Sequence, residues 1–230
     1  MKNYIINQLK GSLSNNENTK LFKFIIEDIG KYVPSETNRV LDIASDKDPV
    51  FSGFMAKLFP NSRFVHFKDS KKILPIIHKR YSRIPNLEII NNPKDLDGPY
   101  DFGIAFLTLH ELYDPVKSLK ETYKRIKNNG KIFIIDYDLT WFPKIVKRGK
   151  WKNRTAMKIF EKYIFNTENE KKVLWDEINC MENHSKKGLE DYIEYCKKAG
   201  FTLLEAKSHR IKTPWGEKPK VFSYIGEKNV

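Results

Sequence analysis

The chain has 230 residues, 40% of them hydrophobic, with 42 lysines and arginines against 29 acids and a formal charge of +13. That length suits one α/β domain with an insertion, burying roughly 70–75% of the surface of the unfolded chain without disulfide staples. No apolar run approaches the ~18 residues of a membrane span, and the start of the chain lacks the apolar centre and small-residue cleavage site of a secretory leader. The two cysteines, Cys180 and Cys196, show no metal-type clustering and suit a reducing cytosol, so a cytoplasmic protein with no resident metal is expected. The positive charge favours acidic partners, either anionic metabolites or nucleic acid, unless it reflects only a general lysine bias.

In chain order, residues 1–17 are polar and rich in asparagine. Asn18 or Thr19 caps an expected helix that carries Leu21, Phe22, Phe24, Ile25, Ile26 and Ile29 and stops near Gly30. Residues 40–44 form a short apolar strand. Pro49 suits the first turn of a helix with Phe51, Phe54, Met55 and Leu58 on one face. Residues 63–67 read as a second strand, 71–81 as a helix kinked by Pro75, 87–90 as a third strand and 102–107 as a fourth. Pro115 opens a helix through Val116, Leu119, Tyr123 and Ile126, which Asn128-Asn129-Gly130 stops. Residues 131–136 form a fifth strand, and residues 139–184 interrupt the alternation with aromatics and lysines, as an insertion of two helices. A helix over 188–198 and strands at 201–204 and 221–225 close the chain, with Thr213-Pro-Trp-Gly216 between the last two. Alternating strands and helices with short connections imply parallel strands with right-handed crossovers, and strands this apolar are covered on both faces.

Two segments carry a family resemblance. Arg39-Val-Leu-Asp-Ile-Ala-Ser-Asp-Lys-Asp48 is a strand ending in acids. Tyr100-Asp-Phe-Gly-Ile-Ala-Phe-Leu-Thr-Leu-His-Glu-Leu-Tyr-Asp-Pro115, followed by Asn129-Gly-Lys-Ile-Phe-Ile-Ile-Asp-Tyr-Asp138, gives two more strands in matching order. The chain resembles the class I S-adenosylmethionine-dependent methyltransferases, well over residues 20–138 and by pattern alone over 185–228. The resemblance implies a Rossmann-like sheet of seven strands, the last antiparallel, with helices on both faces and a helical lid at about 139–184, all within a single domain spanning 1–230.

It also implies S-adenosylmethionine as cofactor, lying across the carboxyl ends of the strands. Asp42 ends strand one and would order the loop and the cofactor's methionine end, or simply cap the loop. Asp69 would accept the ribose hydroxyls, since Lys68 occupies the usual acid's place. Asn92 would meet the adenine amine, or belong to an ordinary turn, and Leu107 would line the same pocket. The family's glycine-rich loop is degenerate here: Ala44, Asp46 and Asp48 stand where glycines usually let backbone approach the cofactor. Such a loop leaves open a non-catalytic, methyltransferase-derived binding or scaffold protein.

His110 and Glu111 follow strand four, where a base is needed, or where a histidine caps the next turn. Asp136, Tyr137 and Asp138 end strand five and, with Trp141 and Trp151, would line the acceptor pocket; strand-end solvation is the plain alternative. The Asn/Asp-Pro-Pro-aromatic motif of base-amine methyltransferases is missing: that place reads Phe106-Leu-Thr-Leu-His110. Lys147, Arg148, Lys150, Lys152 and Arg154 alternate with aromatics in the insertion, a pattern that grips RNA, covers an anionic or aromatic metabolite, or packs as a solvated cationic helix. The expected partner is a small-molecule acceptor, with RNA as the lesser alternative and no membrane. Oligomeric state is not legible.

Overall fold

The computed structural model describes residues 31–32, 38–44, 50–68, 81–138, 140, 187–213 and 216–229. Ten elements carry the fold: β1 Arg39–Ala44, α1 Val50–Leu58, β2 Arg63–Lys68, β3 Leu87–Ile90, β4 Tyr100–Phe106, α2 Pro115–Arg125, β5 Ile126–Tyr137, α3 Leu189–Ala199, β6 Phe201–Thr213 and β7 Gly216–Lys228. Short 3-10 turns at Pro93–Asp95 and Leu109–Glu111 follow β3 and β4.

The strands form one seven-stranded sheet in the order β3-β2-β1-β4-β5-β7-β6. Pairing is parallel from β3 through β5, and only β7 runs against its neighbours on both sides. This is the expected seven-stranded arrangement with an antiparallel closing strand. The helix expected over 21–29, all but the last residue of that over 71–81, and the insertion at 139–184 apart from Thr140 lie outside the described residues.

Side-chain alternation along the strands builds two cores. On one face Leu41, Ile43, Val65, Ile132 and Ile134 pack with Leu119 of α2 and Tyr192 and Cys196 of α3. On the other, Val40, Phe64, Phe102, Ile104, Phe133 and Ile135 meet Phe51, Met55 and Ala56 of α1. Helices therefore cover both faces, which is why the central strands read as unbroken apolar runs. Burial in the first core pushes the Cys196 thiol up to about 12 and leaves it inert.

Several element boundaries differ from the sequence reading. α2 ends at Arg125, and Ile126 already pairs with Tyr100. The ladder then breaks between Tyr100 and Phe102, and Asn129 turns left-handed at φ 61° before Lys131 resumes pairing. Asn128-Asn129-Gly130 is thus a bulge inside β5, not a helix stop. Gly130 is needed there, because a Cβ would stand 2.6 Å from Ile126 Cγ2 and 2.9 Å from the Asp101 carbonyl oxygen. β6 and β7 run 13 residues each, far beyond the apolar cores at 201–204 and 221–225, because their outer halves pair with each other by backbone hydrogen bonds.

Candidate active site at the carboxyl edge of the sheet

The carboxyl ends of the parallel strands lie along one edge, where open α/β sheets leave a crevice. Leu107, directly after β4, is held at φ 49°, a left-handed conformation unusual for a residue with a branched side chain, and its N–H donates to the Ile135 carbonyl at 2.7 Å. That hydrogen bond ties the exit of β4 to β5 and sets the course of the chain into the Leu109–Glu111 turn.

The turn delivers His110 to Asp136. The His110 N–H donates to Asp136 Oδ2 at 3.0 Å, and His110 Nδ1 lies 2.5 Å from Asp136 Oδ1. Asp136 Oδ1 also accepts from the Tyr137 N–H at 2.8 Å. Asp136 is fully buried at 0% exposure and the His110 side chain is 2% exposed, so this carboxylate is stabilised by directed donors rather than by water. An ionised carboxylate is acceptor-only, so His110 Nδ1 is the donor in this contact. The Tyr137 ring packs edge-on against His110 at 5.3 Å. Burial first, and the Asp136 charge second, push the Tyr192 hydroxyl of α3 well above the usual phenol range.

A second histidine–aspartate pair sits on the opposite face of the sheet. Asp42 of β1 stands in register with His66 of β2, and His66 Nδ1 lies 2.7 Å from Asp42 Oδ2. The Ser52 hydroxyl, from the first turn of α1, donates to the same oxygen. All three residues are buried, and among the described residues His66 Nε2 has no hydrogen-bond partner. Asp42 lies two residues before the end of β1 rather than at its end, and this oxygen is turned inward, on Ser52 and His66.

The remaining predicted residues are less gathered. Asn92 is exposed; its Oδ1 accepts from the Lys94 N–H at 3.1 Å and caps the Pro93–Asp95 turn. Asp138 is buried and its Oδ1 accepts from the Thr140 N–H at 3.2 Å and from the Thr140 hydroxyl. Ala44 closes β1 opposite Lys68, and Glu111 ends the turn that carries His110. Asp46, Asp48, Asp69, Trp141, Trp151 and the basic run at 147–154 lie outside the described residues. Among the described residues no group of three histidine, cysteine or acidic side chains is placed to hold a metal ion.

No protein-family model matches the chain, and no curated protein matches it. Solved structures do. A SAM-dependent methyltransferase from Methanosarcina mazei superposes with a TM-score of 0.57 at 13% identity, covering 88% of this chain and 97% of that one. PigF, solved with S-adenosylhomocysteine, gives 0.54 at 14% identity, over 89% of this chain and 61% of its own. Human N-acetylserotonin methyltransferase, solved with S-adenosylmethionine, gives 0.53 at 15% identity, over 84% and 48%. The fold is that of the class I S-adenosylmethionine-dependent methyltransferases.

Within that methyltransferase fold, His66 and Ser52 are partners of Asp42 that the sequence reading did not single out. The available signal was a lone polar residue inside the apolar run Arg63-Phe-Val-His-Phe67. Parallel pairing of the first two strands would have set it beside Asp42. Ser52, three residues after Pro49, gave no signal beyond its position in the first turn of a helix.

Proposed function

We propose that this protein transfers a methyl group from S-adenosylmethionine to a small acceptor, anionic or aromatic, with His110 as the base. The observation that carries this reading is the buried His110–Asp136 pair at the carboxyl edge of a methyltransferase sheet. The cofactor's amine, ribose hydroxyls and adenine amine are hydrogen-bond donors. Asp42 of β1, Asn92 after β3 and, by its place in the sequence, Asp69 after β2 carry acceptor oxygens, which supports a match in chemistry. Ala44, Asp46 and Leu107 would complete the cofactor's surroundings. Bound S-adenosylmethionine supplies an electrophilic methyl group on a sulfonium.

The chain's own part is to position the acceptor and take its proton. Asp136 holds His110 in one tautomer and one orientation, which makes Nε2 the nitrogen that accepts the acceptor's proton. Asp136 then stabilises the imidazolium so formed. Glu111 stands beside this base in sequence. Tyr137 and Asp138, with Trp141 and Trp151, would line the acceptor's side of the site. The net charge of +13 favours an anionic acceptor in the encounter.

The inward use of Asp42 and the glycine-free stretch at 44–48 favour a second reading, a non-catalytic binding protein built on the same fold. Thermal unfolding with S-adenosylhomocysteine decides between them. At 100 times its dissociation constant the ligand is expected to stabilise the protein by about 2.7 kcal/mol and to raise Tm accordingly. An unchanged Tm at millimolar ligand would leave the binding-protein reading in its place.

A further inference from the structure

We propose that His66 is a positioning residue for cofactor binding, acting through Asp42; the proposal rests on the methyltransferase reading above. Three elements meet at one carboxylate oxygen. Asp42 comes from β1, His66 from β2, and Ser52 from the first turn of α1. Ser52 and Asp42 lie on either side of the β1–α1 connection, so their hydrogen bond joins its two described ends. His66 fastens that junction to β2. In β1 and β2 the pairing continues only to Ala44 and Lys68, two residues beyond, so the cluster sits just beneath the crevice edge.

Stability alone does not account for an imidazole here. The His66 side chain is 1% exposed, and its neighbours on this face are apolar: Val40, Phe51, Met55, Phe64 and Ile104. Nδ1 lies 2.7 Å from the carboxylate, and the buried Nε2 has no hydrogen-bond partner among the described residues. A hydrophobic side chain would fill that space without stranding a nitrogen. What the imidazole alone supplies is a directed donor to Asp42 from the β2 side. Where the family places glycines, this chain carries Ala44, Asp46 and Asp48. Asp42 is the anchor, and His66 and Ser52 fix its rotamer.

The test measures S-adenosylhomocysteine affinity by calorimetry, together with Tm and circular dichroism, on the full chain. His66→Leu removes the donor. His66→Asn keeps an N–H close to the place of Nδ1. Ser52→Ala removes the other donor. His66→Leu is expected to weaken binding about tenfold or more, while His66→Asn stays within about threefold of wild type. Ser52→Ala is expected to weaken binding as well, and it carries the test if His66→Leu does not fold. Wild-type affinity in both His66→Leu and Ser52→Ala would overturn the proposal, as would an equal loss in His66→Leu and His66→Asn. Absence of binding to the wild-type protein would overturn the methyltransferase reading itself, and it is seen before any substitution is made.

Discussion

Asp136 accepts from two N–H groups of the main chain and from an imidazole, while wholly enclosed. Each of those bonds has a charged acceptor, and such bonds contribute more than neutral ones. Asp136→Asn keeps the shape, but its amide group faces donors that need an acceptor. The substitution is expected to destabilise the protein by roughly 2–4 kcal/mol, since at least one buried donor is left unmatched. It also releases His110 from its single tautomer, so methyl transfer should fall more steeply than stability does. Urea midpoints read the first effect, and turnover at a temperature where the variant is fully folded reads the second. Equal stability of Asp136→Asn and wild type would show that the carboxylate does not organise the turn after β4. His110 and Asp136 were legible as strand-end residues, since both follow apolar runs of strand length. Their mutual contact was not, because it depends on β4 and β5 being neighbours and on the left-handed step at Leu107, and leucine gives no warning of such a step.

At the scale of elements, helix ends are held by side chains distant in sequence as well as by the backbone. α1 ends without a glycine cap. Instead the Asn86 amide, from the approach to β3, donates to the carbonyls of Ala56 at 2.8 Å, Phe59 at 3.1 Å and Ser62 at 2.8 Å. The Ala56 carbonyl lies in the last turn of α1, and the Phe59 and Ser62 carbonyls lie in the turn after it, where Phe59 also accepts from the Ser62 N–H at 3.0 Å. Lys228, at the end of β7, meets the end of α2, donating to the Tyr123 carbonyl at 3.0 Å, which also accepts from the Ile126 N–H, and to the Ile126 carbonyl at 2.9 Å, while lying over the Tyr123 ring. Asn86→Ala is expected to lower stability by about 1–3 kcal/mol. Asn86→Asp should be worse, because it turns a carboxylate toward carbonyl oxygens. A denaturation series shows the order, and an Asp variant as stable as wild type would remove Asn86 as the closure of α1. Strands one to three were readable to within a residue because apolar runs flanked by polar turns mark them. The long outer halves of β6 and β7 were not readable. Residues 205–209 are all half-buried, with the polar Glu205, Lys207, Ser208 and His209 among them, and the pairing there does not follow hydrophobic content. The capping partners were invisible for a related reason: Asn86 and Lys228 look like surface residues until the fold brings them to a helix end.

For the whole molecule the deciding quantity is charge, and how much of it is already answered. At the amino edge of the sheet it is answered locally. Arg39 and Arg63 share Asp97, Arg63 also meets Glu88, Lys127 meets Asp101, and Lys131 meets Glu227. Burial would raise the Asp97 carboxyl, but the two guanidiniums beside it hold it below the usual carboxylate range. These cations are therefore poor candidates for an extended polyanion site. The acid-free stretch with Lys144, Lys147, Arg148, Lys150, Lys152, Arg154 and Lys158 is different in composition, and it lies outside the described residues. Were it an RNA grip, binding would fall with salt by a log–log slope of roughly −0.7 to −0.9 for each phosphate contacted. A small anionic acceptor neutralises one or two charges and shows a correspondingly shallow dependence. The expected outcome is weak binding of tRNA at physiological salt in a filter-binding titration, little changed when Lys147, Arg148, Lys150, Lys152 and Arg154 are replaced by alanine. Micromolar or tighter affinity that those five substitutions abolish would replace the small acceptor by RNA, and would move the specificity of the protein from the site proposed at His110 to the insertion.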